Sequence, residues 1–278
     1  MSQQATAPYR FEQILGHTPG NWLQGFSKNV ASQAGEDGII QKIFEILQPT
    51  NRYCVEFGAW DGRHLSNCFN LIDTEQWSAC FIEANAGKFQ DLLRNHGSND
   101  KVACVNQYVE FEGANSLDSI LHAVGAPQNP DLISIDVDGI DWFIWESLTI
   151  HRPNVVVIEF NPTIPNDVIF IQAKDPAVNH GCSLRALVEL GKQKGYELVA
   201  CTAYNAFFIK AESFALFGIA DNHINLMYRP VMDGRIFHGY DSEIFVCGMP
   251  HLIWSDLAVD PDKLQLIPRH LRRFPDAQ

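Results

Sequence analysis

Carboxylates close several apolar runs in this chain, and their spacing limits what they can do. Ser134-Ile135-Asp136-Val137-Asp138-Gly139-Ile140-Asp141 ends one such run, and Ile158-Glu159-Phe160-Asn161-Pro162 ends the next. Alternate residues of an extended strand share a face, which groups Asp136 with Asp138 and Glu159 with Asn161. Acids crowded in this way repel one another unless something neutralises them. Three chemistries meet that need. A hard divalent cation, Mg²⁺ or Ca²⁺, could take oxygen ligands from Asp136, Asp138, Glu159 and Asn161. One carboxyl with a raised pKa could serve as general base toward a substrate hydroxyl. A cationic group on a bound ligand could supply the charge instead. Asp141 has a second reading, as the N-cap of a helix over 141–149.

A second constellation lies upstream, in Tyr53-Cys54-Val55-Glu56-Phe57-Gly58-Ala59-Trp60-Asp61-Gly62. An apolar run ends in an acid, followed by a turn that carries Gly58, Asp61 and Gly62. Glycines let backbone approach a ligand closely, as at the first turn of nucleoside-binding sheets. The next apolar run ends Cys80-Phe81-Ile82-Glu83, so an acid falls 27 residues after Glu56, placed for a ribose diol. No basic phosphate-binding element follows. The cofactor this suggests is S-adenosylmethionine, which carries a sulfonium and an ammonium in place of a pyrophosphate. The polar segment Ser32-Gln33-Ala34-Gly35-Glu36-Asp37-Gly38 reads in two ways: Ser32 or Asp37 caps the following helix, or the segment folds over the pocket.

Positioning these acids requires a parallel sheet. Apolar runs at 53–58, 79–83, 102–106, 132–137, 155–160, 196–201 and 206–210 read as strands. Helical patterns at 36–47, 63–73, 86–96, 115–123, 141–149 and 183–194 fall before and between them, with a further helical stretch at 9–15. Such alternation signals βαβ units. Only Thr202 to Asn205 separates the last two strands, which is too short for a crossover, so they must run antiparallel. The expected fold is a Rossmann-like α/β sheet of the class I methyltransferase kind, five parallel strands plus an antiparallel terminal pair. Residues 1–50 form a helical preface, 51–211 the core, and 212–278 a tail packed on it. Residues 163–182 form a long loop, a rigid lip to the site.

Composition narrows the partners. The 278 residues are 46% hydrophobic, enough for a full core, and the net charge is −13. That charge argues against nucleic acid or an anionic membrane and leaves a small-molecule substrate. No apolar stretch reaches the ~18 residues of a membrane span, and Met1 to Arg10 is polar, unlike a signal peptide, so a cytoplasmic location is expected. The seven cysteines form no C-x-x-C pair and read as reduced thiols, mostly within strands. No feature specifies an oligomeric state.

The segments Ser32–Gly38, Val55–Gly62, Phe81–Ala84, Asn115–Asp118, Ser134–Asp141 and Val157–Pro162 occur in an order that resembles the FkbM-type methyltransferases, over about residues 30–210. In that family the fourth-strand motif usually reads Ile-Asp-Val-Glu-Gly. Here Asp138 shortens one carboxylate. The resemblance implies S-adenosylmethionine binding and methyl transfer to an oxygen, often of a sugar or secondary metabolite. It also implies cofactor contacts from Glu56, Gly58, Asp61 and Glu83, with Asn106 and Tyr108 near the adenine. Together these readings predict an O-methyltransferase, with Asp136, Asp138 and Glu159 as its catalytic cluster. The alternative is a metal-dependent enzyme on the same scaffold that transfers no methyl group.

Overall fold

Strands that are covered on both faces read as unbroken apolar runs, and Val155-Val156-Val157-Ile158 is the purest example, with all four residues fully buried. Each such side chain removed from water contributes about 1.5–3 kcal/mol, which is what drives the sheet to the centre of the molecule. A computed structural model describes residues 20–229, 235–247, 251–252, 257–258, 260–271 and 273. The helix expected over 9–15 lies outside them.

The central sheet has seven strands: β1 (Tyr53–Phe57), β2 (Ser78–Ile82), β3 (Val102–Val105), β4 (Leu132–Ile135), β5 (Val155–Glu159), β6 (Tyr196–Cys201) and β7 (Asn205–Lys210). Their order is β3-β2-β1-β4-β5-β7-β6. Neighbours from β3 to β5 pair in parallel, and β7 runs antiparallel to both β5 and β6. This is the Rossmann-like sheet with an antiparallel terminal pair that the spacing predicts. Strand order reverses between β1 and β4, so their carboxyl ends open a crevice of the kind that binds ligands.

The helices are α1 (Glu36–Leu47), α2 (Phe69–Glu75), α3 (Ala86–His96), α4 (Leu117–Ala123), α5 (Asp141–Ser147), α6 (Leu184–Lys194), α7 (Ile224–Met227) and α8 (Pro261–Leu264). The Ser183 hydroxyl caps α6, and Gly195 ends it with φ 78. Two expectations fail locally. The second helix starts at Phe69, not 63, because the Glu56 carboxylate accepts the Asn67 N–H and the Ser66 hydroxyl and holds that stretch as a turn. Asp141 is not an N-cap: it is the first residue of α5, and its carboxylate accepts the N–H groups of Val137 and Gly139, each at 2.9 Å.

In the Ser32–Gly38 segment the Ser32 hydroxyl accepts the Asp37 N–H at 3.1 Å and so satisfies one N-terminal donor of α1, though it is not the N-cap residue. Gly35, with φ 98, takes the N-cap position of α1. One oxygen of Asp37 collects the N–H groups of Val30, Ala31 and Ser32 at 2.7–2.9 Å. Glu36 accepts the Thr202 hydroxyl at 2.7 Å and the Asn205 amide at 3.2 Å, which ties α1 to the β6–β7 turn.

Beyond β7, a 3-10 segment over Ala211–Phe217 and α7 pack against β6. Strands β8 (Arg235–His238) and β9 (Ile244–Cys247) form a separate antiparallel hairpin, braced by α8. Strands β10 (His251–Leu252) and β11 (Leu257–Ala258) form another short pair. No helix among the described residues is long and apolar enough to cross a membrane.

Candidate functional site

A cavity of about 620 Å³ opens at the carboxyl ends of β1, β2, β4 and β5. Its lining includes Glu56, Gly58, Glu83, Tyr108, Asp136, Asp138 and Glu159. Residues separated by a hundred positions in sequence therefore meet because each ends a strand of one sheet.

The β1 turn explains its glycine. Gly58 has φ +71, and a Cβ there would lie 2.0 Å from the Asp136 carbonyl oxygen, so no side chain fits where β1 and β4 converge. Glu56, one residue before the end of β1, is buried and bonded to Ser66 and Asn67. Burial pushes its pKa up to about 7, against the pull of those hydrogen bonds. Glu83 follows β2. One of its oxygens accepts the Trp60 N–H at 2.8 Å and the other the Asn85 N–H at 2.7 Å, leaving a free lone pair on each.

The acidic cluster is bonded quite differently. Single carboxylate oxygens of Asp136, Asp138 and Glu159 lie within 4.8 Å of one another. No described residue donates a hydrogen bond or ion pair to any of these three carboxylates. Burial, then the neighbouring Asp141 and Asp138 charges, push Asp136 up to about 8. Glu159 is driven well above the carboxylate range by burial and then by Asp136. Asp138 adopts a left-handed backbone with φ 58. Such a cluster can hold a shared proton, a divalent cation, or the cationic part of a ligand.

Four residues expected at the site are used elsewhere. The Asp61 carboxylate accepts the N–H groups of Arg63 and His64, at 2.9 and 2.7 Å, and closes its own turn. Gly62 lies behind that turn, where a Cβ would meet the His96 ring. Asn106 donates to the backbone oxygens of Glu83 and Ala84, bracing the end of β2 from outside the cavity. Asn161 donates to His180 O, while its own oxygen accepts the Thr163 N–H and hydroxyl, so it is committed to its loop rather than to the acidic cluster. None of the four lines the cavity.

Other lining residues are Gln33 and Pro176, which lie in segments the sequence places near the pocket, and Trp60, His64, Lys88 and Tyr204, which the sequence did not assign to it. Gln33 fulfils the reading in which the Ser32–Gly38 segment folds over the pocket. Tyr204 had a usable signal, because β5 and β7 must pair antiparallel and Glu159 sits opposite Asn205. Of the 163–182 loop only Pro176 reaches the lining. The rest is fastened by the buried Gln172, which accepts the N–H groups of His180 and Gly181 at 2.9 and 2.8 Å.

No family model matches this chain. No curated protein matches it either. Among solved structures, it is similar to the CurJ carbon methyltransferase, with 11% identity, 68% of this chain and 57% of that chain covered, and a TM-score of 0.43. It is also similar to the citrinin polyketide synthase CMeT domain, with 10% identity, 66% and 55% covered, and a TM-score of 0.43. A third is an S-adenosylmethionine-dependent methyltransferase from Clostridium acetobutylicum ATCC 824, with 10% identity, 63% and 90% covered, and a TM-score of 0.41. The matched region spans little more than half of the first two chains.

Proposed function

We propose that this protein binds S-adenosylmethionine and methylates a hydroxyl of a small molecule, in the manner of the FkbM-type enzymes its motifs resemble. The observation that carries the reading is the shared lining of Gly58, Glu83 and the acids Asp136, Asp138 and Glu159, to which no described residue donates, in one cavity. The residues suit the cofactor. Glu83 retains acceptor capacity for a ribose diol, the Gly58 turn leaves room for close approach, and the acids suit a sulfonium and an ammonium. Bound there, the cofactor would supply an electrophilic methyl group on a positively charged sulfur.

The chain's own contribution is then position and proton handling. Burial leaves Asp136, with a pKa of about 8, mostly protonated near neutral pH; beside a cofactor cation it returns to the carboxylate, which then accepts the proton of the acceptor hydroxyl as that oxygen attacks. Glu159, which burial holds in its protonated form, leaves Asp136 as the acceptor. The β1 turn and the walls from Gln33 and Tyr204 hold the reactants in line, where alignment supplies much of the rate.

The 4.8 Å grouping of oxygens supports one further possibility at the same place. A divalent cation there would be held by Asp136, Asp138 and Glu159, with water completing its shell, and would polarise the hydroxyl.

Calorimetric titration with S-adenosylmethionine tests the reading: binding at micromolar to low millimolar concentration supports it, and no heat at millimolar cofactor overturns it. Repeating the assay for methyl transfer after chelation separates proton transfer from metal assistance.

A further inference from the structure

Seven non-glycine residues among those described have positive φ. Gln48 and Gln76 end helices, and Arg52 and Ser242 lie in turns between strands and their neighbours. The other three, Trp60 (φ 45), Leu65 (φ 58) and Asp138 (φ 58), all line the cavity. A bulky residue in this conformation is strained and persists only where its surroundings impose it, which is common at ligand sites. At Trp60 the constraint is visible: its N–H is bonded to Glu83 at 2.8 Å, inside the turn closed by the Gly62 N–H on Ala59 O.

The strain places an indole in the cavity wall with 40% of its surface exposed. The Lys88 ammonium lies over that ring, 4.8 Å from its centroid, and the His64 ring packs nearly perpendicular to it with centroids 5.2 Å apart. Lys88 is in the first turn of α3, where the helix dipole disfavours a cation. The ring face therefore already holds a positive charge at a position where the backbone field opposes one.

Resting on the cofactor reading above, we infer that Trp60 recognises the sulfonium of S-adenosylmethionine through its ring face, and that Lys88 occupies this face when the cavity is empty. The sulfur is bonded to the 5′ carbon of the ribose. A ribose held by Glu83 brings that sulfur toward the residue whose N–H is bonded to Glu83. Methyl transfer turns the sulfonium into a neutral thioether, which gains nothing from the ring quadrupole. Trp60 thus favours the cofactor over its product, S-adenosylhomocysteine.

Calorimetry with both ligands on the full chain, at fixed pH and salt, tests this. Trp60→Leu should weaken S-adenosylmethionine about 3- to 30-fold and S-adenosylhomocysteine by less than about 2-fold. Trp60→Phe, which keeps a weaker ring face, should fall between and serves if the leucine variant folds poorly. Lys88→Met should tighten S-adenosylmethionine in the wild-type background and leave it unchanged beside Trp60→Leu. Equal losses for both ligands, or a Lys88→Met effect that survives without the indole, overturn the inference. Failure of the wild type to bind either ligand would instead overturn the cofactor reading.

Discussion

Asp118 and Asp131 lie away from the cavity, and Asp136 and Glu159 lie in it; all four are acids held against the same sheet. Asp131 accepts the N–H groups of Asn51 and Arg52 at 2.9 and 2.7 Å and the Asn154 amide at 2.7 Å, tying the start of β1 to that of β4. Asp118 accepts the N–H groups of Thr149, Ile150 and His151 at 2.8–2.9 Å and also bonds the His151 ring. Burial opposes the charge on Asp118, yet those donors outweigh it and hold its pKa below the usual value. Asp136 and Glu159 receive no such donors among the described residues, and their pKa values move the other way. Where the fold needs an acid it surrounds it with backbone donors. At the Asp136, Asp138 and Glu159 cluster it leaves the bonding capacity to a ligand.

The sharpest way to break this contrast is catalytic. Asp136→Asn should lower methyl transfer by about 10²–10⁴-fold while leaving cofactor affinity within a few-fold. Wild-type turnover from this variant, in an assay that follows methylation of an acceptor hydroxyl, would remove Asp136 from the chemistry. The structural side is tested by urea unfolding. Asp118→Ala should cost about 3–5 kcal/mol, because His151 and three N–H groups lose a charged partner. Asp136→Asn should cost nothing measurable or stabilise the protein. If the two variants prove equally destabilised, the distinction fails.

Gly58→Ala probes the turn between the two regions. Its Cβ would meet the Asp136 carbonyl at 2.0 Å, so a loss of about 1–3 kcal/mol is expected, together with weakened cofactor binding. An alanine variant with unchanged melting and affinity would show that β1 and β4 need not approach so closely.

The last test is a slope. The Asp136 pKa rises from 3.8 to about 8 on folding, so the native state keeps a proton that the unfolded chain has released. Its stabilising contribution is complete below the unfolded value and is lost as pH rises through about 8. Asp118 behaves oppositely: its contribution is present above 3.8 and disappears as pH falls through its lowered folded value. Unfolding free energy should therefore decline from mildly acidic pH toward about 8, and Asp136→Asn should flatten that decline. An unchanged slope in the variant assigns the titration to Glu56 or Glu159.

Much of this arrangement was legible because buried parallel strands leave little choice. Runs such as Val155–Ile158 must be covered on both faces, and the acids that end them fall at one edge of the sheet. Single-chain pattern reading is weaker for polar residues in turns. Asp61, Asn106 and Asn161 look like ligand groups, yet each satisfies backbone nearby, and spacing alone does not distinguish the two uses. Trp60 was hidden in plain view, since the same turn drew attention to its glycines. Tyr204 becomes a neighbour of the acids only when the β6–β7 turn closes on the segment that carries Gln33, far upstream in sequence.

That closure gives the site a direction in time. The Glu36 bonds to Thr202 and Asn205 span 166 and 169 residues, and they join the two cavity walls that carry Gln33 and Tyr204. A nascent chain synthesised from its N-terminus has the Gly58 turn, Glu83 and the acidic cluster long before it has the second wall. Domains acquire such long-range contacts last. Ligand capture by ribosome-bound chains of increasing length should appear only once the β6–β7 turn has emerged, making cofactor uptake a marker of completed translation of the core.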